Sequence, residues 1–370
     1  MSKIGTKMLT QKRSPLAEKA SLLGNGHDPQ AAYKQLQIMA QKGSTAAAAA
    51  LEQCRASGII TPGAIPGTTD PQAMFESWKT DYMSAYGGAT PVSLSSGLAQ
   101  RFSGATRKSH LPIPPSGLGP VEELVDGEPQ SAKRAQGYDV PFEHKTRAPQ
   151  ALIVNRSDMA SDRVGMVSAN VIAKGNDAAM MPDFMAARAL EDGETQLSFD
   201  RQPAFSSTHK QDPINTSVGP NYVNKFNENL DVPGLVKIVN AMRAYRNESG
   251  LPVVSGDVQF GIVVPPDLSG DLSYLLDRDR DQFGATNWAH IYDFVGIVLP
   301  TLTDTKTFYV CILNGPVRAI YYSVFIPMEH IFQGPGTTYY NDKRQFKFQS
   351  NEDNAALIAD WRMIAKSKIP

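Results

Sequence analysis

The sequence predicts an α+β protein, because patterns typical of helices and of strands follow one another along the chain without regular alternation. Two amphipathic patterns in the middle of the chain predict helices, and a series of short apolar runs in the second half predicts a sheet of several strands. With 370 residues, of which 41% are hydrophobic and 20% charged, the chain has the composition of a folded, water-facing protein and the length for two domains.

The clearest helical pattern is a single apolar stripe at three- and four-residue spacing, formed by Leu235, Ile238, Val239, Met242 and Tyr245. Pro233 stands near the start of this helix, and Gly250 lies just beyond its end. A second helix is predicted from an N-cap at Ser168 to a stop at Gly193. Pro182 lies inside this pattern and is expected to kink the helix or split it in two.

Strands are predicted at short runs rich in β-branched and aromatic residues, which fall at 151–156, 258–264, 294–299, 307–313, 317–326 and 346–349. The segment 355–364 is ambiguous between helix and strand. The sequence shows no internal repeat.

The first hundred residues or so differ in composition from the rest of the chain, with few aromatic residues, an alanine run at 46–50 and a turn-rich segment at 61–67. Short helices are predicted at 30–57 and at 71–86, and the second carries an aromatic stripe of Phe75, Trp78, Tyr82 and Tyr86. Because such isolated pieces need a partner surface to bury their apolar sides, this part of the chain is interpreted as an arm.

Charge is distributed unevenly at the N-terminal end, where basic residues outnumber acidic ones by five to one within the first 20 positions. This end fits contact with phosphate, and it equally fits a solvated tail or a segment that docks on an acidic neighbour. The formal net charge of the whole chain is −1, so no global field attracts it to nucleic acid or to an anionic membrane. Any such contact is therefore expected to be local.

Seven prolines interleaved with glycines occupy residues 110–150 and exclude a compact helix there. The residues between these breaks, 121–125 and 138–145, predict a long, exposed β-hairpin with too little apolar surface to be stable by itself. An isolated protein gains little from such a projection. An assembling protein, in contrast, can lay it over a neighbour.

No catalytic, cofactor-binding or metal site is predicted. The six histidines are scattered, Cys54 and Cys311 are far apart, and neither a Gly-x-x-x-x-Gly-Lys-Ser/Thr loop nor a Gly-x-Gly-x-x-Gly turn is present. His209 ends the sequence Phe-Ser-Ser-Thr-His at 205–209, which contains no Gly-x-Ser-x-Gly elbow, so we interpret it as a loop histidine satisfied by local hydrogen bonds. The alternating Asp/Arg run at 277–281 is interpreted as a solvated loop or a row of intersubunit salt bridges in preference to a cation site. No stretch approaches the roughly 20 apolar residues that a membrane-spanning helix needs.

Several short motifs in the middle and end of the chain resemble those of the major head subunits of Mu-like phages. They are the segment 138–163, the sequence Ala-Ala-Met-Met-Pro-Asp at 178–183, Asp200 followed by Phe-Ser-Ser-Thr-His at 205–209, Val-Val-Pro-Pro at 263–266 and Gly-Ala-Thr-Asn at 284–287. The motifs follow one another in the family's order, and the resemblance extends over residues 115–370.

The resemblance implies the Hong Kong 97-type capsid fold, an α+β fold with an N-terminal arm, an extended β-hairpin loop, a spine helix, and peripheral and axial domains. Mapped onto this chain, these parts are the arm at 1–109, the extended loop at 110–156, the peripheral domain at 157–230 with its spine helix at 166–193, the axial domain at 231–326, and peripheral return strands at 327–370. The unsupported arm and hairpin become explicable if neighbouring subunits cover them.

The resemblance also implies the function: a major capsid protein of a tailed phage or prophage, which assembles in the host cytoplasm into the hexamers and pentamers of an icosahedral head around double-stranded DNA. The implied partners are copies of the same chain, portal, scaffold and possibly decoration proteins, and DNA through nonspecific contact, with no cofactor and no membrane. The alternatives are the shell of an encapsulin-like compartment, an unrecognised enzyme and a DNA-binding module that uses the basic N-terminus.

Intersubunit contacts are predicted at large apolar residues of the arm and loop and at two arginines, namely Phe75, Trp78, Tyr82, Val121, Leu124, Tyr138, Phe142, Arg278 and Arg280. For the apolar residues the alternative is burial within their own subunit.

Overall fold

The computed structural model describes residues 71–113, 138–161, 166–214, 216–217, 219–254, 258–277, 292–315 and 317–370, all of which belong to the unit Thr68–Pro370. The predicted helix at 30–57, the basic N-terminal end, the strand at 121–125 and most of the run at 277–281 lie outside the described residues. Helices and strands of the described part alternate irregularly, which confirms the α+β class.

The helices of the described part are α1 (Pro71–Gly88), α2 (Val92–Ser95), α3 (Arg156–Ser161), α4 (Met166–Ala179), α5 (Met181–Glu191), α6 (Val232–Ala244), α7 (Ser269–Asp277) and α8 (Thr338–Lys343). None of the helices in these described ranges is long and apolar enough to cross a membrane.

Two five-stranded sheets form the body of the described part. The first sheet has the order β1 (Ala99–Ser103), β12 (Ile320–Gln333), β13 (Gln345–Leu357) and β4 (Lys145–Arg147), and β5 (Leu152–Asn155) pairs with another stretch of β13. The second sheet has the order β10 (Asp293–Val298), β9 (Gln259–Val264), β11 (Thr307–Ile312), β14 (Ile364–Lys368) and β8 (Lys225–Phe226).

Two smaller ladders complete the described strands: β2 (Lys108–Ile113) with β3 (Tyr138–Glu143), and β6 (His209–Lys210) with β7 (Asn221–Tyr222). The β2–β3 ladder is antiparallel and runs from Lys108 opposite Glu143 to Ile113 opposite Tyr138. The predicted strand at 138–145 is thus present up to Glu143, and residues 145–147 form the separate strand β4. The strand that pairs with β3 in the described part is β2 at 108–113, whereas the sequence predicted a partner at 121–125.

The predicted helix around the stripe at 235–245 is confirmed as α6. The side chain of Asp231 caps its N-terminus by accepting a hydrogen bond from the Gly234 N–H at 2.8 Å. Four stripe residues, Leu235, Ile238, Val239 and Met242, are buried against the second sheet in the largest apolar cluster. The periodic stripe therefore marks the face that this helix turns to the core.

The predicted spine helix is split in two, as expected from its proline. Helix α4 ends at Ala179, and Pro182 stands in the first turn of α5, where a missing N–H removes no helical hydrogen bond. The predicted N-cap at Ser168 is wrong, because α4 already begins at Met166. Ser168 instead donates a hydrogen bond from its hydroxyl to Asp81 on α1 at 3.3 Å.

The residue at position 193, just after the end of α5, is a glycine because an aromatic ring packs against its backbone. Helix α5 ends at Glu191 and is followed by a single 3-10 turn, Asp192–Glu194. A β-carbon at Gly193 would lie 2.5 Å from the ring of Phe205, so only glycine lets this ring approach the backbone.

The predicted strands of the second half are present, but β12 and β13 are much longer than the apolar runs that predicted them. They span 14 and 13 residues and pair with each other along most of their length, with register shifts near Ile326. The ambiguous segment 355–364 contributes the end of β13, a 3-10 turn at Trp361–Met363 and the start of β14.

Candidate assembly surfaces and buried polar centres

The aromatic residues predicted to be intersubunit anchors in the arm lie on α1 and are buried in their own chain. Phe75, Trp78 and Tyr82 expose 5%, 3% and 0% of their surface. They cover one face of the first sheet, with ring centroids 5.5 Å apart for Phe75 and Phe348 and 5.7 Å apart for Trp78 and Phe346. These three side chains are thus buried in the core of their own subunit, which was the alternative to an intersubunit contact. They have almost no exposed surface left to contact a neighbour.

The two predicted anchors at the base of the loop, Tyr138 and Phe142, are only partly buried. Both lie on the side of β3 that also carries the buried Val140. Tyr138 contacts the ring of Phe199 at 5.1 Å between centroids, and Phe142 contacts Phe102 at 6.2 Å. Contact of their exposed parts with a neighbour stays a prediction. The remaining predicted contacts, Val121, Leu124, Arg278 and Arg280, lie outside the described residues.

A buried hydrogen-bonded centre surrounds His209. Its Nδ1 lies 2.6 Å from Asp200 Oδ2 and its Nε2 lies 3.2 Å from Asn224 Oδ1, and His209 exposes none of its surface. The imidazole stacks on Trp361 with centroids 4.1 Å apart and an interplanar angle of 6°. The interpretation of His209 as a histidine satisfied by hydrogen bonds is therefore confirmed, although it is buried and starts a short strand.

Asn224 connects this centre to the C-terminal part of the chain. Its side-chain amide donates to the carbonyl oxygens of Ala204, Trp361 and Ile364 at 2.7 to 3.2 Å. Its Oδ1 accepts the Ser206 N–H at 2.9 Å. The segment that precedes α6 is thereby attached to the 3-10 turn and to β14. The motif Asp-x-x-x-x-Phe-Ser-x-x-His at 200–209 thus has a structural role, because Asp200 and His209 form the hydrogen bond of this centre.

A second buried centre is an ion-pair triad around Arg362, which exposes 1% of its surface. Arg362 donates to Asp360 from Nε at 2.8 Å and from Nη2 at 2.9 Å, and to Glu248 from Nη1 at 3.2 Å. Its guanidinium also lies 4.6 Å from the ring centroid of Phe199. Although burial opposes the charge, the two carboxylates raise the pKa of Arg362 above its ordinary value.

A more exposed ion-pair cluster is centred on Glu194. Its carboxylate accepts hydrogen bonds from Lys225 Nζ and Lys366 Nζ, each at 2.8 Å. The two hydrogen bonds outweigh the opposing effect of burial and lower the pKa of Glu194 to about 2. The cluster connects the turn after α5 to β8 and β14.

We expect Glu194→Gln to reduce the free energy of unfolding near neutral pH by about 1 kcal/mol, a small value because the pairs are partly exposed. A carboxylate with a depressed pKa stabilises the fold above its ordinary pKa of 4.5 and loses that contribution as the pH falls towards about 2. The difference between wild type and variant should therefore shrink over this range in urea unfolding curves. Glu76→Gln, which breaks an exposed pair on α1, is the control. A pH-independent difference would contradict the assignment.

A cavity of about 180 Å3 lies beside the break between α4 and α5. The carboxylate of Glu352 at this cavity accepts hydrogen bonds from Tyr322 and from Asn354, the latter at 2.8 Å, and its second oxygen lies 3.6 Å from Arg101. The negative charge of Glu352 is thus stabilised by partners in its own chain. The described residues contain no group of three or more His, Cys, Asp or Glu side chains that could hold a metal ion.

The other face of the first sheet, opposite α1, is open. Paired residues of an antiparallel ladder point to the same side of the sheet. Gln333 is opposite Lys347, which is opposite Ile153, and Ile331 is opposite Gln349. We call these five residues the open face. Ile153 exposes 50% and Ile331 38% of its surface, so apolar area remains in contact with solvent.

Residues 134–225 match the sequence model of the Mu-like prophage major head subunit gpT. The resemblance predicted from the motifs is thereby confirmed. The match covers about a quarter of the chain, from β3 through both halves of the split helix to β7, and it contains all three polar members of the His209 centre. No curated protein matches the chain.

Solved capsid structures are also similar to this chain. The procapsid of bacteriophage JBD30 is 14% identical, with 81% of this chain and 75% of that chain covered and a TM-score of 0.44. The capsid of the cyanophage P-SCSP1u is 11% identical, with 74% and 86% covered and a TM-score of 0.49. A virus-like particle from Pyrococcus furiosus is 12% identical, with 80% and 99% covered and a TM-score of 0.45.

Proposed function

We propose that this chain is the major capsid protein of a Mu-like tailed phage or prophage and that it self-assembles into the hexamers and pentamers of an icosahedral head around double-stranded DNA. The observation that carries the proposal is the match of residues 134–225 to a major head subunit. The proposal is also supported by the antiparallel β2–β3 ladder at the start of the proposed extended loop and by the consecutive helices α4 and α5 where the spine helix is expected.

The mechanism is association itself. A shell subunit distributes many modest contacts over several neighbours, so that each interface is weak while the closed assembly is stable. The buried centres at His209 and Arg362 fix the relative positions of distant chain segments, which keeps the surfaces of each copy in a reproducible geometry. The role of the protein is therefore structural and not catalytic. Its place is the virion, after assembly in the host cytoplasm.

We further propose that portal, scaffold and possibly decoration proteins bind the assembled shell, and that DNA contacts it nonspecifically through Lys and Arg. The proposed parts are the arm at 1–109, the extended loop at 110–156, the peripheral domain at 157–230 with returning strands at 327–370, and the axial domain at 231–326. Within the arm, α1 and β1 pack on the chain's own first sheet. One refinement follows from the sheet order, because β14 at 364–368 pairs with β11 and so joins the sheet of the axial strands.

Negative-stain microscopy of the purified full chain tests this proposal. We expect closed shells or capsomers, and nucleic acid inside shells formed in the presence of DNA and the packaging proteins. Shells that instead enclose a protein cargo would favour an encapsulin-like compartment. A chain that stays monomeric at high concentration, with or without scaffold protein, would contradict the proposal.

A further inference from the structure

Three arginines from different elements lie on the side of the first sheet that faces α5 and the cavity. Arg147 on β4 donates from Nη1 to the backbone oxygen and to the side-chain Oδ1 of Asn354, at 2.6 and 3.1 Å. Arg101 on β1 lies 3.6 Å from the carboxylate of Glu352, which is the residue opposite Arg147 on β13. Arg188 lies on the exposed side of α5, the helix that packs on β13.

Positive charge exceeds negative charge in this region. Lys145 is exposed two residues before Arg147, so both side chains leave the same face of β4. Within the described ranges no carboxylate lies within 4.0 Å of either cation. Arg188 forms an exposed pair with Asp192 at 3.3 Å, and Glu352 is the second carboxylate of the region. Two carboxylates thus face four cations, which we call the basic patch: Arg101, Lys145, Arg147 and Arg188.

Arg147 is the most constrained cation of the basic patch. It is partly buried, and burial together with the nearby positive charge of Arg188 lowers the pKa of its guanidinium. A guanidinium nevertheless stays protonated in proteins, so the repulsion between the two arginines persists. The contacts with Asn354 are neutral and use only Nη1, which leaves other N–H donors of Arg147 for an acceptor. An anion from outside the chain would relieve the repulsion and use these donors.

The extent and composition of the basic patch indicate what kind of anion fits. The patch extends from β1 to β4, which is three strand spacings or about 14 Å. Neither strand exposes a large apolar side chain, and on α5 Phe184 is the one large apolar residue of the helix that is exposed. A protein partner gains most of its affinity from apolar contact. Duplex DNA, in contrast, carries one negative charge per about 1.7 Å of its axis and binds basic surfaces through charge.

We propose that the basic patch binds the phosphate backbone of the enclosed DNA, with Arg147 and Arg188 as its central contacts. The inference rests on the proposed shell function and names the residues of this chain that meet the DNA. Phosphate contacts carry no sequence information, so the patch accepts DNA of any sequence. Each contact releases bound counterions from the DNA, which makes the affinity depend on the salt concentration.

The salt dependence of DNA binding tests the basic patch. A fluorescently labelled duplex of mixed sequence is titrated with the purified full-length chain, before assembly is started, at a series of NaCl concentrations. Removing two phosphate contacts with Arg147→Gln and Arg188→Gln should reduce the slope of log K against log salt concentration by about 2. The affinity at about 0.1 M salt should fall at least tenfold.

Two further variants keep this test decisive. Lys145→Gln with Arg188→Gln leaves the contacts of Arg147 with Asn354 intact, so it serves if the first variant does not fold, and it should change the slope by the same amount. Lys237→Gln with Lys306→Gln is the matched control, because it removes two exposed cations near the second sheet. We expect the control to keep the slope of the wild type.

An unchanged slope in the folded patch variants, with a wild type that forms shells, would overturn the DNA contact and leave the shell function intact. An equal reduction in the control would overturn it as well, because the DNA would then respond only to the net charge of the chain. If the patch variants bind DNA like the wild type but no longer form shells, the surface contacts protein and the proposal is wrong. Failure of the unmodified chain to form shells would instead overturn the proposed function on which the inference rests.

Discussion

Replacing residues 114–137 by an Asn-Gly turn is expected to give a folded protein that no longer forms shells. Ile113 and Tyr138 already stand opposite each other in the antiparallel β2–β3 ladder, so a two-residue turn can close the hairpin without moving either strand. The core is left unchanged, because the inward residues Leu111 and Val140 remain in place. We expect assembly to be lost, because the segment predicted to lie over a neighbouring copy is removed.

Circular dichroism melting and size-exclusion chromatography check the fold of this variant, and negative-stain microscopy checks assembly. We expect a melting temperature within a few degrees of the wild type and no particles. A matched variant that keeps the length of 114–137 but replaces it with Gly-Ser repeats separates the role of the segment's sequence from its length. Normal shells from either variant would refute the role assigned to the loop.

Deleting the longer range 115–148, which covers most of the proline-rich segment, would be a poorer test of the loop. That longer deletion would remove β3 and β4, together with the buried Val140 and His144. His144 binds Ser323 Oγ through Nε2 at 2.7 Å and the Arg107 carbonyl oxygen through Nδ1 at 3.1 Å. A variant that lacks these contacts would lose stability for reasons unrelated to assembly.

Asp360→Ala is expected to lower the free energy of unfolding by about 3–5 kcal/mol, because it leaves the cation of Arg362 buried with only Glu248 as a charged partner. The carboxylate also accepts the Arg362 N–H at 3.0 Å at the start of the 3-10 turn, so a cap is lost as well. Urea unfolding at neutral pH, followed by tryptophan fluorescence, measures the change.

Adding Arg362→Met to Asp360→Ala is the matched control. Removing the cation that has lost its partner should recover part of the stability, since a buried ion pair can often be replaced by apolar groups at little cost. If Asp360→Ala changes the stability by less than about 1 kcal/mol, or if the double variant is less stable than the single one, the triad does not hold the C-terminal turn as described.

The sequence was sufficient to predict those helices and strands whose residue pattern is local. The stripe of α6 repeats at the helical period and Pro233 marks its first turn, so its buried face and its start were predictable. Its end was not, because the helix stops at Ala244, six residues before Gly250, and Tyr245 already has an extended backbone. Pro182 acts on its own helix, and its effect was predictable for the same reason. The long strands β12 and β13 were underestimated, because polar residues such as Glu329, His330 and Asn351 interrupt their apolar runs.

The candidate contacts were less predictable. An aromatic stripe shows that a helix packs against another surface, but it does not show whether that surface belongs to the same chain or to a neighbour. For Phe75, Trp78 and Tyr82 the partner is the chain's own β12–β13 ladder, more than 240 residues away. The His209 centre joins residues 200–224 to Trp361, a contact that no local pattern encodes. The motif around Asp200 and His209 was its only signal, and the resemblance to head subunits drew attention to it.

Cryo-electron microscopy of particles assembled from the purified full-length chain would show whether this protein builds a shell. We predict closed shells in which each copy contributes the two-sheet body described here. A monodisperse monomer under all assembly conditions, with residues 114–137 packed on their own subunit, would contradict the account.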